Sequence, residues 1–160
     1  MGNGHPLAAV VTRPEIAETL ANETGYFNTF GGNPVSCAAG LAVLEVIEKE
    51  ALQHNALKVG QRLRERLTML LRDYPVIGGL HGSGLLLGID IIKPDGMPNP
   101  EMAAHIMNHM RENGVLVGTT GQDYATLKVR PPIVFQEEHA GILLAALTKA
   151  LDDVLSLKSV

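Results

Sequence analysis

The sequence predicts a mixed α/β fold, with an α+β arrangement in its C-terminal part. Three observations carry this. Apolar residues recur at helical spacing in long segments near 35–49, 51–72, 101–113 and 137–155. Short apolar runs bounded by Gly and Pro fall between them, at 76–92, 115–119 and 126–130. Hydrophobic residues make up 46% of the chain and charged ones 19%, a balance that supports a packed core and not a disordered chain.

The elements follow in order. Met1 to Pro6 is turn-rich, and Leu7-Ala8-Ala9-Val10-Val11-Thr12 reads as a buried strand. Arg13 to Leu20 is a short helix with Pro14 early and an acidic first turn, as the helix dipole prefers. Tyr26 to Pro34 is a loop. Gly31 and Gly32 admit conformations closed to other residues, Asn33 suits an N-cap, and Pro34 suits the first helical position. The helix behind it, from Val35 to about Lys49, is apolar on nearly every face and is expected to be buried.

A second helix covers 51–72, with Leu57, Leu63, Leu67 and Leu70 or Leu71 as its inner stripe. Arg62, Arg64, Glu65, Arg66 and Arg72 form its solvated face. Tyr74-Pro75 ends it. Val76 to Ile92 reads as two strands around a Gly-rich turn. The Gly82-x-Gly84 pair leads into a strand, so it is not a dinucleotide fingerprint, which must open a helix. Helix 101–113 follows, with Ile106 and Met110 inward and Gly114 as its stop. Val115 to Thr119 and Thr126 to Arg130 are strands, and Pro131-Pro132 ends the second. The last helix, 137–155, buries Ile142, Leu143, Ala146, Leu147, Ala150 and Leu151, and Asp152, Asp153 and Lys158 mark its polar end.

A length of 160 residues suits one domain of ordinary size, and no linker divides it. The net charge of −4 and the lack of Trp argue against nucleic acid or an anionic membrane as partner. No apolar run approaches the ~20 residues of a membrane span. Cys37 is the only cysteine, which excludes an internal disulfide and a cysteine-rich zinc site and fits a reducing, cytoplasmic setting. His105 and His109 stand i, i+4 and would share a helix face, a spacing that can hold zinc. No third ligand is evident, so they read as a solvated pair and no metal is expected.

Two positions point to binding chemistry. A Gly-rich loop with a hydroxyl at Thr29, opening onto a helix N-terminus, can cradle a phosphate; the alternative is a tight turn that lets the helix pack closely. Arg130, fixed in direction by the diproline, offers a planar fork that matches a carboxylate; the alternative is a strand-end arginine paired to a surface acid.

Thr29-Phe30-Gly31-Gly32-Asn33-Pro34, followed by Cys37 to Leu44, resembles the class III aminotransferases, fold-type I enzymes dependent on pyridoxal 5′-phosphate (PLP). Leu127-Lys128-Val129-Arg130-Pro131-Pro132 resembles the C-terminal motif of the same family. The resemblance implies that the chain is the C-terminal part of such an enzyme: 1–45 the end of the large PLP-binding domain with a dimer-interface helix, and 46–160 the small domain. It implies a homodimer in which Thr29, with the backbone N–H of Phe30, holds the phosphate of the partner's cofactor. It gives Arg130 the substrate carboxylate.

The family's Schiff-base lysine lies a few residues before the match to Gly2-Asn3-Gly4-x-Pro6, which puts it ahead of Met1. No catalytic residue is therefore assigned. Met1 reads either as an internal residue of a longer parent or as the start of a truncated gene. His81 stands where the family commonly has arginine and is given no role. The implied activity is transfer of an amino group from an amine or amino acid to a keto acid, with the isolated chain inactive. The alternatives are a PLP-dependent phospho-lyase of the same family, and a non-catalytic module that self-associates.

Overall fold

The computed structural model describes residues 1–157, without the side chain of Leu157; Lys158, expected in the polar end, lies outside them. The chain divides into two compact units, Met1–Ala51 and Leu52–Val160.

In the first unit, α1 (Pro14–Glu23) has Pro at its first position and Glu15 in its first turn, and buries none of its residues. α2 (Pro34–Lys49) begins as the sequence predicts: the side chain of Asn33 accepts from the Ser36 N–H at 3.0 Å. Such a cap contributes about 1 kcal/mol. Gly40 is the buried residue of α2, and Leu7 covers it so closely that a Cβ there would stand 2.5 Å from Leu7 Cδ2.

Two expectations fail in this unit. Leu7 to Thr12 forms no strand, and Val10 and Val11 are 89% and 97% exposed. A buried strand is made by the ladder of its neighbours, and no described strand pairs with this run. α2 is not buried either: Val35, Leu41, Leu44 and Val46 are exposed. A helix apolar all round needs cover on every side, and one covering residue at Gly40 is not enough.

The second unit is a four-stranded antiparallel sheet packed against three helices. α3 (Leu52–Leu70), with a 3₁₀ turn at Leu71–Asp73, leads to the hairpin β1 (Ile77–Ser83) and β2 (Leu86–Ile91). Then come α4 (Pro100–Glu112), β3 (Gly118–Thr120), β4 (Thr126–Val129) and α5 (Glu137–Leu157). The strand order is β1-β2-β4-β3, so β4 inserts between the hairpin and β3. Leu87, Ile89 and Ile91 of β2 and Leu127 and Val129 of β4 point into the core. They meet Leu63 and Leu67 of α3, Ile106 and Met110 of α4, and Leu143, Leu147 and Leu151 of α5. Alternation then turns Gly88, Asp90, Thr126 and Lys128 to the other face.

The helix periods were right and their faces partly wrong. Leu57 is exposed; Leu63, Leu67 and Leu71 are buried as expected, and Leu52, Val59 and Gly60 join them. Six residues separate Leu57 from Leu63, about 240° round the helix, which takes Leu57 off the inner face. Ile142 is also exposed; it sits about 100° from Leu143, at the edge of a surface cavity. Arg64 is half-buried, not solvated, and its guanidinium donates to the carbonyls of Gly82 at 2.9 Å and Leu80 at 3.1 Å. β3 starts at Gly118 because the Val115 N–H is spent on the Met110 carbonyl, closing the end of α4 where Gly114 takes φ +81.

Candidate functional site

β4 sets the direction of the first site. Leu127 and Val129 are anchored in the core, so Lys128 stands on the opposite side of the strand, and Arg130 follows directly at the strand's end. The chain after Arg130 is held in place. Phe135 N–H donates to the Pro132 carbonyl at 2.9 Å, and Asn55 Nδ2 of α3 donates to the carbonyls of Ile133 at 3.2 Å and Phe135 at 3.0 Å. This segment, the stretch 114–118 and the start of α5 enclose a cavity of about 600 Å³. Lys128 and Arg130 line it among apolar walls from Val115, Val117, Val134 and Leu143. Arg130 is exposed, and among the described residues no carboxylate or other hydrogen-bond partner engages it. An arginine free of protein partners beside an apolar hollow is suited to an anionic group from outside.

The second site is the loop before α2. Asn28 shapes it: its side chain accepts from the Phe30 N–H at 3.1 Å, and its carbonyl accepts from the Gly31 N–H at 3.2 Å. Gly32 takes φ +70, which a side-chain-bearing residue would resist. Thr29 is exposed, and its hydroxyl has no partner among the described residues. A cavity of about 520 Å³ opens beside it, lined by Phe30, Gly31, Gly32, Asn33 and Ser36 together with His5. His5 Nε2 stands 2.9 Å from Ser36 Oγ, which also accepts from Asn33 Nδ2 at 3.0 Å. A free hydroxyl, glycine backbone and a helix N-terminus form a donor set that fits a phosphate. The N–H groups of Phe30 and Gly31 are already spent on Asn28, while the Thr29 hydroxyl stays unengaged among the described residues. Thr29 and Phe30 thus share one loop of the first unit, and Arg130 belongs to the second.

The histidines have partners that the sequence did not show. His81 Nε2 lies 2.5 Å from Asp90 Oδ2, and Thr126 donates its hydroxyl to the other oxygen of Asp90 at 2.7 Å. His109 is not merely solvated: its Nε2 lies 2.7 Å from Asp153 Oδ2 of α5, and its Nδ1 lies 3.2 Å from Asn113 Nδ2. No group of three ligating residues able to hold a metal occurs among the described residues. His139 accepts the Gln136 N–H on Nδ1 at 3.0 Å, and its ring stands 5.5 Å from that of Phe135.

The family model described as aminotransferase class-III matches residues 1–151. An Arabidopsis thaliana protein named alanine–glyoxylate aminotransferase 2 homolog 2, mitochondrial, is 48% identical over 92% of this chain and 31% of its own length. A Caenorhabditis elegans protein named ethanolamine-phosphate phospho-lyase homolog 1 is 40% identical over 98% of this chain and 33% of its own. The chain therefore spans about a third of the length of the curated relatives it matches.

Among solved structures, a phospholyase from Arthrobacter in complex with phosphoethanolamine superposes with a TM-score of 0.88 at 44% identity, covering 95% of this chain and 36% of that one. An amine transaminase from an uncultivated Pseudomonas species, in its PLP-bound internal aldimine form, gives 0.73 at 31% identity over 84% and 31%. The cofactor of the family is PLP. A match over residues 1–151, with the four-stranded sheet and the loop before α2 in place, leaves one conclusion: the chain belongs to the class-III aminotransferase family.

Proposed function

We propose that the chain is the C-terminal part of a PLP-dependent aminotransferase that moves an amino group from an amine or amino acid to a keto acid. The observation that carries this is Arg130, which faces an apolar cavity without a protein partner. Its guanidinium would hold the substrate carboxylate in two parallel hydrogen bonds and so orient the amine. The apolar walls around it thin out water and strengthen that pair. Thr29 would donate its hydroxyl to the cofactor phosphate, and α2 would lend the positive end of its dipole. PLP, when bound, supplies the electron sink that the protein's own side chains lack.

In this reading the protein works as a homodimer, with Thr29 serving the partner's cofactor and the exposed apolar residues of α2 covered by the second copy. Residues 1–45 belong to the large domain and 46–160 to the small one. Lone, exposed Cys37 fits a reducing compartment; the mitochondrial name of the Arabidopsis relative widens this beyond the cytoplasm.

A second reading, phospho-lyase, is favoured by one comparison: the Arthrobacter phospholyase is nearer in both identity and TM-score than the Pseudomonas transaminase. The test is turnover by the whole protein with PLP. Alanine with glyoxylate probes the first reading, and O-phosphoethanolamine alone probes the second. Transfer to glyoxylate, with KM for the amino acid raised at least about tenfold in Arg130→Met and the bound-cofactor absorbance unchanged, supports the aminotransferase. Release of phosphate without amino transfer would replace it with the lyase.

A further inference from the structure

We infer that His5 is a positioning residue: through Ser36 and Asn33 it holds the loop before α2 in the shape that presents the Thr29 hydroxyl to an anionic group. This rests on the reading of Thr29 as a phosphate donor, and adds the side chains that fix its loop.

Four residues share one row of hydrogen bonds. Asn33 Oδ1 accepts from the Ser36 N–H at 3.0 Å, and a backbone N–H can only donate, so the direction of the Asn33 amide is fixed. Its Nδ2 then donates both protons, to the Phe30 carbonyl at 2.9 Å and to Ser36 Oγ at 3.0 Å. Ser36 Oγ meets His5 Nε2 at 2.9 Å, across 31 residues of sequence. The hydroxyl serves either ring tautomer, donating to a bare Nε2 or accepting from a protonated one. All four residues belong to the first unit and line the 520 Å³ cavity with Gly31 and Gly32.

The ring of His5 is aimed by its own backbone. His5 closes a tight turn, its N–H donating to the Gly2 carbonyl at 3.1 Å. Asn3 and Gly4 take φ +47 and +104, a region that most side chains resist and that Asn and Gly tolerate. Gly2 has no room for a side chain, since a Cβ there would stand 2.4 Å from the His5 carbonyl oxygen. In the exposed stretch 21–37, Asn33 and Ser36 are the half-buried residues, so the row sits where water competes least. A constrained turn at one end and a fully used amide at the other leave the loop little choice of shape.

The test is two measurements on the wild type and on His5→Phe, His5→Gln, Ser36→Ala, the His5→Phe/Ser36→Ala pair and Thr29→Val. The first is NMR exchange of the Asn33 and Ser36 amides without cofactor. The second is the Kd for pyridoxal divided by the Kd for PLP, two probes that differ by the phosphate alone. His5→Phe should quicken exchange at both amides and lower that ratio, each by roughly fivefold to tenfold, as loss of about one hydrogen bond implies. His5→Gln, whose amide nitrogen can reach the place of Nε2, should recover most of both. Ser36→Ala should lower the ratio as His5→Phe does. The pair should do little more than either alone, because the same row is broken once.

Unchanged exchange in His5→Phe would overturn the inference, with Asn33 alone shaping the loop. Faster exchange with an unchanged ratio would also overturn it, reducing the bond to a structural one, and so would losses that add in the pair. A ratio that drops in Thr29→Val and in no His5 variant would overturn this inference and sustain Thr29. A wild-type ratio near one, or a ratio untouched by Thr29→Val, would remove the reading of Thr29 and this inference with it.

Discussion

The hydroxyl of Tyr74 donates to Asp152 Oδ1 at 2.7 Å, joining the chain just after α3 to the last turns of α5. Tyr74 is otherwise buried, 8% exposed, against the core. Burial first, then the bond to Asp152 and the negative charges of Asp152 and Asp73, push the phenol up from 10.0 to about 12. The folded state therefore holds this proton more tightly than the unfolded chain does.

The sign of the pH effect follows. A group whose pKa rises on folding gives stability that is complete below its unfolded value and is lost as pH climbs through the folded one. Stability from Tyr74 should be intact at pH 9 and fall between pH 10 and pH 12. Tyr74→Phe should cost about 1 kcal/mol at neutral pH and flatten that alkaline fall. Urea unfolding of both proteins at pH 8, 10 and 11.5 checks it; an equal alkaline loss in the phenylalanine variant would assign the effect to other groups.

Gly60 in α3 faces the β1–β2 turn, and a Cβ there would stand 2.2 Å from the Gly84 carbonyl oxygen. Helix propensity alone favours Gly60→Ala by about 1 kcal/mol. The obstacle is backbone, and Gly84 sits at φ +55, so the turn has little freedom to retreat. Overpacking of this kind costs about 1–3 kcal/mol. Gly60→Ala should therefore lower the urea midpoint, and a raised midpoint would show that the turn moves away freely.

These contacts mark the limit of what the sequence disclosed. Period and punctuation located α3, the hairpin, α4 and α5, and Asn33-Pro34 announced the start of α2 correctly. What the pattern did not contain was strand order. With β4 between β2 and β3, Thr126 reaches Asp90 and Lys128 lies between two glycines, pairings that join residues far apart in sequence. The same holds for Asn55 with Ile133, Arg64 with Leu80, and His109 with Asp153. Leu7 to Thr12 failed for a related reason, since an apolar run becomes a strand only through neighbours.

Leu63 and Leu57 test the corrected face of α3. Leu63 is fully buried and Leu57 is 62% exposed, although both belong to the apolar repeat of the sequence. Leu63→Ala should cost about 2–5 kcal/mol, the range for deleting a core leucine and leaving a cavity. Leu57→Ala should stay within about 0.5 kcal/mol, as surface changes do. Thermal and urea unfolding of the pair measures the contrast. A large cost at Leu57 would mean that another surface covers it in solution.

Asn55 ties α3 to the wall of the Arg130 cavity through the carbonyls of Ile133 and Phe135. Asn55→Ala removes both bonds and should cost about 1–2 kcal/mol at about 1 kcal/mol for each. The loss should be local. Exchange of the Phe135 amide, which donates to Pro132, should quicken by roughly tenfold, the equivalent of 1.4 kcal/mol. Asn55→Asp is the sharper variant: it keeps the shape, replaces a donor by a carboxylate, and sets that charge against two carbonyl oxygens. It should be worse than alanine. If instead both variants leave Phe135 exchange unchanged, the diproline alone holds the segment rigid, and the direction of Arg130 owes nothing to α3.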